Sequence, residues 1–230
     1  MTEPAPVPAD LKDRLKNCYD AIAHTYNAKL GNVLDSIRLD YVNRLLGLLN
    51  DTDRAEATLL ELGCGAGVPS TKTFLDNASP SIRVTANDLS TVQLDLARQH
   101  LADHVGSGKV TLVPGDMLAL DFPPCSFHAV TGFYSIIHLP RTEQVLLMRK
   151  IAGWLNPGGY FLANFAGEEQ ESHVMEKWLG EEKGWTFWSG WGAEGSAKMV
   201  EDAGLEVLVR ETRESSVDAT FLWVIARKCA

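Results

Sequence analysis

The chain has little cysteine, and its four thiols (Cys18, Cys64, Cys125 and Cys229) stand far apart with no C-x-x-C pair. That spacing argues against a zinc site or a disulfide framework and fits a reducing compartment. No metal is therefore expected. Basic residues are also short: 21 Lys and Arg against 30 Asp and Glu leave a net charge of −9. A non-specific nucleic-acid binder needs a basic face to displace counterions, so no nucleic-acid partner is expected. No apolar run approaches the roughly 20 residues that span a bilayer, and no membrane partner is expected. The opening Met1-Thr2-Glu3-Pro4-Ala5-Pro6-Val7-Pro8 lacks the basic start and apolar core of a signal peptide. The expected location is cytoplasmic, with monomer and homodimer both open.

The remaining composition suits a globular protein, and 230 residues with 45% hydrophobic content predict one domain with a real core. Residues 1–8 read as a disordered tail. Leu11, Leu15, Cys18, Tyr19 and Ile22 recur at helical spacing after Asp10, an expected N-cap, and a second helix is predicted from about Asp35 to Leu49. From Thr58 strands alternate with helices: strands at Ile82–Asp88, Val110–Val113, Ser126–Tyr134 and Tyr160–Phe165 are separated by helical stretches. This alternation predicts an α/β fold, a doubly wound parallel sheet with helices on both faces. Leu205–Arg210 and Thr220–Ala226 close the chain as a strand pair without a long helix between them, an antiparallel hairpin at one edge. The boundaries are 9–50 for the N-terminal helices, 58–165 for the core, 166–192 for an insertion, and 193–230 for the last helix and strand pair.

The insertion is too long for an ordinary connection, and loops of that kind in compact domains are usually functional. It carries Trp178, Trp185, Phe187, Trp188 and Trp191, the acidic run Glu168-Glu169-Gln170-Glu171 and His173, with a short helix predicted around His173–Leu179. Because it leaves the carboxyl end of the fifth strand, it is expected to form a substrate-facing wall, with Trp185 and Trp188 against the substrate.

The centre of the pattern is Leu59-Leu60-Glu61-Leu62-Gly63-Cys64-Gly65-Ala66-Gly67, a strand running into three glycines at alternate positions. Glycines here let the backbone turn sharply and approach a ligand, at the strand end where open α/β sheets bind. The second strand ends in Asp88, about 20 to 25 residues past the glycines, where an acid meets a ribose in nucleotide-binding folds. Asp116-Met117 follows the third strand. A dinucleotide fingerprint, Gly-x-Gly-x-x-Gly, would need glycine at Val68, and Gly67 falls one residue early.

These motifs resemble those of the class I S-adenosylmethionine-dependent methyltransferases, whose first motif is this acidic-Gly-x-Gly-x-Gly loop. Val110 to Pro140 is similar to the ubiquinone/menaquinone-biosynthesis type, with His128 where that pattern has an acid and Pro124 as an extra proline. The resemblance implies a Rossmann-like seven-stranded sheet, S-adenosyl-L-methionine as cofactor, and methyl transfer. It implies that Gly63, Gly65 and Gly67 approach the amino-acid and ribose part of the cofactor, that Asp88 takes the ribose and Asp116 and Met117 the adenine, and that Cys64 and Leu89 also bind the cofactor. Glu61 serves the ammonium head or only holds the loop. Phe133 and Tyr134 lie near the transferred methyl. Tyr19-Asp20-Ala21-Ile22-Ala23-His24-Thr25-Tyr26 looks like the family's lid segment, which brings Tyr19 and Tyr26 to the cofactor. His138 is the candidate general base, with a histidine's ordinary pKa suited to the task.

The expected acceptor is a small, apolar or aromatic metabolite methylated on oxygen or nitrogen, mainly through proximity and alignment. Two alternatives stay open: a non-catalytic cofactor-binding partner protein, and an enzyme that keeps the cofactor without transferring the methyl.

Overall fold

A computed structural model of the chain describes residues 6–31, 35–214 and 219–229. The expected tail lies partly outside these residues. The N-terminal helix α1 (Leu11–Tyr26) continues into a short π-helical stretch, Asn27–Gly31, and α2 spans Ser36–Asn50. Asp35 caps α2 by accepting from Arg38 N at 3.0 Å. Asp10 does not cap α1 with its side chain; its carboxylate pairs instead with Arg14 Nε one turn on, at 3.4 Å.

The core then alternates as β1 (Glu56–Leu62), α3 (Ser70–Leu75), β2 (Ser81–Asp88), α4 (Thr91–His100), α5 (Ala102–Gly106), β3 (Val110–Pro114), β4 (Phe127–Gly132), α6 (Arg141–Trp154) and β5 (Leu155–Ala166). A hairpin of β6 (Glu169–Glu176) and β7 (Trp185–Trp191) follows, then α7 (Gly192–Asp202), β8 (Leu205–Glu214) and β9 (Thr220–Lys228). Seven strands form one sheet in the order β3-β2-β1-β4-β5-β9-β8. Pairing is parallel from β3 to β5, and β9 runs antiparallel to both β5 and β8. This is the expected Rossmann-like α/β sheet with its antiparallel C-terminal hairpin.

Both faces of the sheet are covered, which is why β1 reads as a continuous apolar run. Leu59 packs with Tyr41, Leu45, Leu49 and Phe74 on the α2–α3 face, while Leu60 and Leu62 pack with Leu147, Met148 and Ile151 of α6 on the other. The largest fully buried side chain, Trp223 of β9, stacks on Tyr41 with centroids 4.5 Å apart and planes 3° from parallel. His128, the departure from the resembled pattern, accepts from Thr58 N through Nδ1 at 3.0 Å and so ties the starts of β1 and β4. An imidazole nitrogen does here what a carboxylate oxygen would.

The insertion corrects an expectation. Instead of a loop with a short helix at His173–Leu179, residues 169–191 form a separate two-stranded antiparallel sheet, and only the turn Trp178–Gly180 is helical. Trp185-Thr186-Phe187-Trp188 is aromatic and β-branched, the composition that packs on a pleated surface. Its period-two alternation sends Trp185 and Phe187 to one face, where they pack with Leu11, Leu15, Cys18 and Ile22 of α1 in a third, smaller core. The hairpin is thus the seat of α1.

Candidate functional site

The strands β1, β2, β3 and β4 end on one side of the sheet, and a cavity opens there, beneath α1. It holds about 680 Å³ of free space, part of it open to solvent, a size suited to a cofactor-scale ligand. Gly63 and Gly65 form its floor. Gly63 N and Cys64 N both donate to Asn87 O, which pins the loop to the end of β2. Gly63 has φ +74°, and a Cβ there would meet Ser135 Cβ at 2.4 Å, so only glycine fits between β1 and the turn after β4.

Of the residues expected at the cofactor, Tyr19, Tyr26, Gly63, Gly65, Asp88, Leu89, Asp116, Met117 and Phe133 do line this cavity, as do Tyr134 and His138 from the expected acceptor side. Three expected loop residues stand back from it. Gly67 turns away into the packing of α4, where a Cβ would meet Leu101 Cδ1 at 2.7 Å. Cys64 is buried with its thiol against its own loop, Sγ to Gly65 O at 3.5 Å. Glu61 is 2% exposed and accepts from Thr71 Oγ1 at 2.5 Å. Burial pushes its carboxyl up to about 7, against the hydrogen bond from Thr71 that favours the charged form. The Glu61 carboxylate thus ties the end of β1 to α3.

Asp88 ends β2 with both oxygens engaged by backbone: Gly65 N donates to Oδ2 and Ser90 N to Oδ1, each at 2.8 Å. Burial still pushes its carboxyl up to about 6. The Leu89 backbone also hydrogen-bonds to this carboxylate, and of a carboxylate's roughly four lone-pair sites at least one stays open to a further donor. Across the cavity, Asp116 Oδ1 accepts from Leu118 N at 3.0 Å and faces Lys12 Nζ at 3.7 Å, with Met117 beside it.

The roof is α1, which is tied to the core by several polar contacts. Asp20 Oδ1 accepts from Ser90 Oγ at 2.6 Å and Val92 N at 3.2 Å, at the start of α4. Lys12 donates to Glu143 Oε2 at 2.6 Å on α6. Asn27 Nδ2 donates to Gln93 Oε1 at 2.9 Å. Tyr19 and His138 meet at 2.9 Å between Oη and Nε2.

The last contact has a defined direction. His138 Nδ1 lies 2.8 Å from the carbonyl of Phe187, which can only accept. Nδ1 therefore carries the proton, Nε2 presents its lone pair, and the Tyr19 hydroxyl donates to it. Burial lowers the His138 pKa to about 4, so the ring is neutral at physiological pH. This corrects the expectation of a histidine titrating in its ordinary range: the ring is buried among aromatics. Tyr19, Tyr26, Trp178, Trp188 and His138 form a linked cluster with centroid separations from 5.3 to 6.4 Å.

The two tryptophans expected against the substrate do not line the cavity. Trp188 backs His138 and stacks on His173 at 5.7 Å. Trp185 is 7% exposed in the small core under α1, with the Arg14 guanidinium 5.1 Å above its ring. Trp185→Ala is accordingly expected to cost about 3 kcal/mol of local packing and to speed hydrogen exchange of the α1 amides. Unchanged exchange in α1 would show that the hairpin does not seat it.

The sequence reading missed Lys12, Leu15, Gln93, Gly115, Ser135 and Leu139, all of which line the cavity. For Gln93 a signal existed: it stands three residues after the cap Ser90, on the same side of α4 as the cavity. Lys12 and Leu15 carried none beyond helical periodicity. Among the described residues no cluster of three or more His, Cys, Asp or Glu could hold a metal, and no helix is long and apolar enough to cross a membrane.

Residues 59–159 match the family described as "Methyltransferase domain". Among curated proteins, the ubiquinone/menaquinone biosynthesis C-methyltransferase UbiE of Methylobacterium nodulans is 27% identical over 159 residues, covering 69% of this chain and 62% of that protein. The chain thus spans somewhat less than two thirds of that relative's length. Among solved structures, the 1,6-didemethyltoxoflavin-N1-methyltransferase of Burkholderia thailandensis superposes with a TM-score of 0.72 at 16% identity, over 100% of this chain and 94% of that one. The [4+2]-cyclase SpnF gives a TM-score of 0.71 at 19% identity, over 99% and 98%. These two likenesses concern the fold.

Proposed function

We propose that this chain, which belongs to the class I S-adenosylmethionine-dependent methyltransferases, moves a methyl group to an oxygen or nitrogen of a small, apolar or aromatic metabolite. The observation that carries the reading is the cavity itself: glycine floor, Asp88 and Asp116-Met117 on its walls, and a neutral tyrosine–histidine pair in its roof. When bound, S-adenosylmethionine supplies the electrophile, a methyl group on a sulfonium.

The residues fit such a cofactor. Asp88 would accept hydrogens from ribose hydroxyls, Asp116 would accept from the adenine amino group, and Met117 would pack on the ring face. Gly63 and Gly65 give close approach to the amino-acid part. Phe133 and Tyr134 lie at the end of β4, and Tyr134 is held there by two contacts: its N donates to Asn164 Oδ1 at 2.7 Å and its hydroxyl to Asp35 Oδ2 at 2.7 Å.

For an acceptor that must lose a proton, the chain offers one route. The acceptor's hydrogen passes to Tyr19 Oη while the Tyr19 hydrogen passes to His138 Nε2, and the Phe187 carbonyl holds the other ring nitrogen. Burial alone makes an imidazolium there costly. A bound sulfonium cofactor would give up its positive charge on transfer, which would offset the cost of a charged His138 ring. An amine or other neutral nucleophile needs only alignment.

Relatives point both ways on the acceptor atom, since UbiE is named a C-methyltransferase and the toxoflavin enzyme an N-methyltransferase. The lining favours a neutral acceptor, because Lys12, a cation on the cavity wall, is already paired with Glu143 and Asp116. A screen of small phenols, amines, carboxylates and thiols with labelled cofactor, read by product mass, tests the reading. A methylated phenol or amine is the expected result. Tight binding of the cofactor with an unlabelled product would favour an enzyme that keeps the methyl, and binding with no product a partner protein.

A further inference from the structure

Tyr134 lines the cavity with φ +53°, in the left-handed region that favours glycine. Among the described residues Cys125, Lys177 and Leu179 share that region without glycine's freedom, and none of them lines the cavity. The Tyr134 N–H donates to the side chain of Asn164 at 2.7 Å, so the amide atom facing it is the acceptor Oδ1. Asn164 is 0% exposed, between Ala163 and Phe165 in the buried part of β5. With Oδ1 turned to Tyr134, its Nδ2 is a buried donor that has no partner. A leucine of about the same size would fill the position without leaving a donor unsatisfied. Two costs therefore meet in one contact: an orphaned amide in the sheet core and a tyrosine in a conformation few side chains adopt. Strain of this kind persists where the surrounding structure enforces it, and it concentrates at functional sites.

What the contact secures is the direction of the Tyr134 side chain. The ring stands edge-on to Phe221 and Trp223, with centroids 5.0 and 5.9 Å away, and its hydroxyl donates to Asp35 Oδ2. A negative φ at Tyr134 would swing the Cα–Cβ bond and take the ring off this wall. The next residue has a tether of its own: Ser135 Oγ donates to Leu62 O at 2.7 Å and holds the turn against the glycine floor. We propose that Asn164 is a positioning residue, which holds Tyr134 left-handed so that its ring walls the methyl end of the cofactor, where the acceptor arrives. The inference rests on the cofactor reading above and adds to it the residue that sets the acceptor wall.

The chain has five tyrosines, so ¹³C,¹⁵N-tyrosine labelling gives few enough signals to follow Tyr134. Its one-bond Cα–Hα coupling, which separates positive from negative φ, is expected to report positive φ in the natural chain and in Asn164→Asp, which keeps an acceptor oxygen. In Asn164→Leu it is expected to move to the negative-φ range. The Tyr134 ring signals are expected to differ between S-adenosylmethionine and S-adenosylhomocysteine, which differ by the methyl and its charge. Asn164→Leu should lose that difference and Asn164→Asp retain it, while S-adenosylhomocysteine affinity changes less than threefold in both. The denaturation midpoint of Asn164→Leu should be no lower than that of the natural chain, since the orphaned donor is gone. A leucine variant that keeps the positive φ and the ring-signal difference overturns the inference, and a lowered midpoint in that case would assign Asn164 to the fold alone. Should Asn164→Leu not fold, the natural chain still decides: a negative φ at Tyr134, or ring signals that do not distinguish the two ligands, rejects the proposal. A natural chain that binds neither ligand removes the cofactor reading itself, a distinct outcome.

Discussion

Asp88→Ala is expected to weaken S-adenosylhomocysteine binding by about a hundredfold, the largest single loss of affinity at this site. A hydrogen bond to a charged acceptor contributes about 1.5–3 kcal/mol, and the Asp88 carboxylate, held by the backbone of Gly65, Ser90 and Leu89, keeps room for a further donor. The substitution also strips those amides of their partner and loosens the floor. Asp88→Asn keeps one acceptor oxygen and should fall between the two.

The same residue predicts a pH dependence. Burial raises the Asp88 pKa to about 6 in the free protein. A ligand that donates to the carboxylate prefers the ionised form, so below pH 6 binding must expel a proton. Affinity is therefore expected to be flat above pH 6 and to fall about tenfold per unit below it. Calorimetry between pH 5 and pH 8 checks this. A flat profile for the natural chain, or one that Asp88→Ala retains, would sink the ribose assignment.

His138→Ala is expected to lower turnover by about a hundredfold with a phenolic acceptor, while S-adenosylhomocysteine affinity changes less than threefold. The imidazole orients Tyr19 through Nε2 and is itself oriented by Phe187 O, so its loss removes both the proton's destination and the tether of the tyrosine. Tyr19→Phe should reproduce most of the loss, and the double substitution should add little, because the pair acts as a unit. With an amine acceptor supplied above its pKa, where no proton must leave before transfer, the effect should shrink to several-fold. Equal losses on phenol and amine would show that His138 only seats the roof. Because its pKa is lowered to about 4, no fall in rate from His138 protonation is expected between pH 6 and 8.

The legible part of the site is the part built by local sequence. Gly63 is readable because a strand end, a positive φ and a close approach leave no other residue possible, and Gly65 because its φ of +54° favours glycine. Asp88 is readable because the same loop geometry puts an acid at the end of the neighbouring strand. Gly67 shows the limit of that logic: it satisfies the motif, yet α4 is what its missing Cβ makes room for. Trp185 shows another limit, since an aromatic at the right distance along the chain becomes the seat of α1 once Trp-Thr-Phe-Trp pairs as a strand.

The sequence by itself determined the alternation of strands and helices in the core, the antiparallel closing pair and the glycine floor, because periodicity and turn chemistry act over a few residues. Only the tertiary structure decided what covers that floor. Tyr19 reaches His138 across 119 positions and Asn27 reaches Gln93 across 66. The neutrality of His138 and the unpartnered amide of Asn164 arise from burial that no local pattern records. Burial is set by the whole chain, and with it the protonation states and side-chain directions on which the chemistry of this cavity depends.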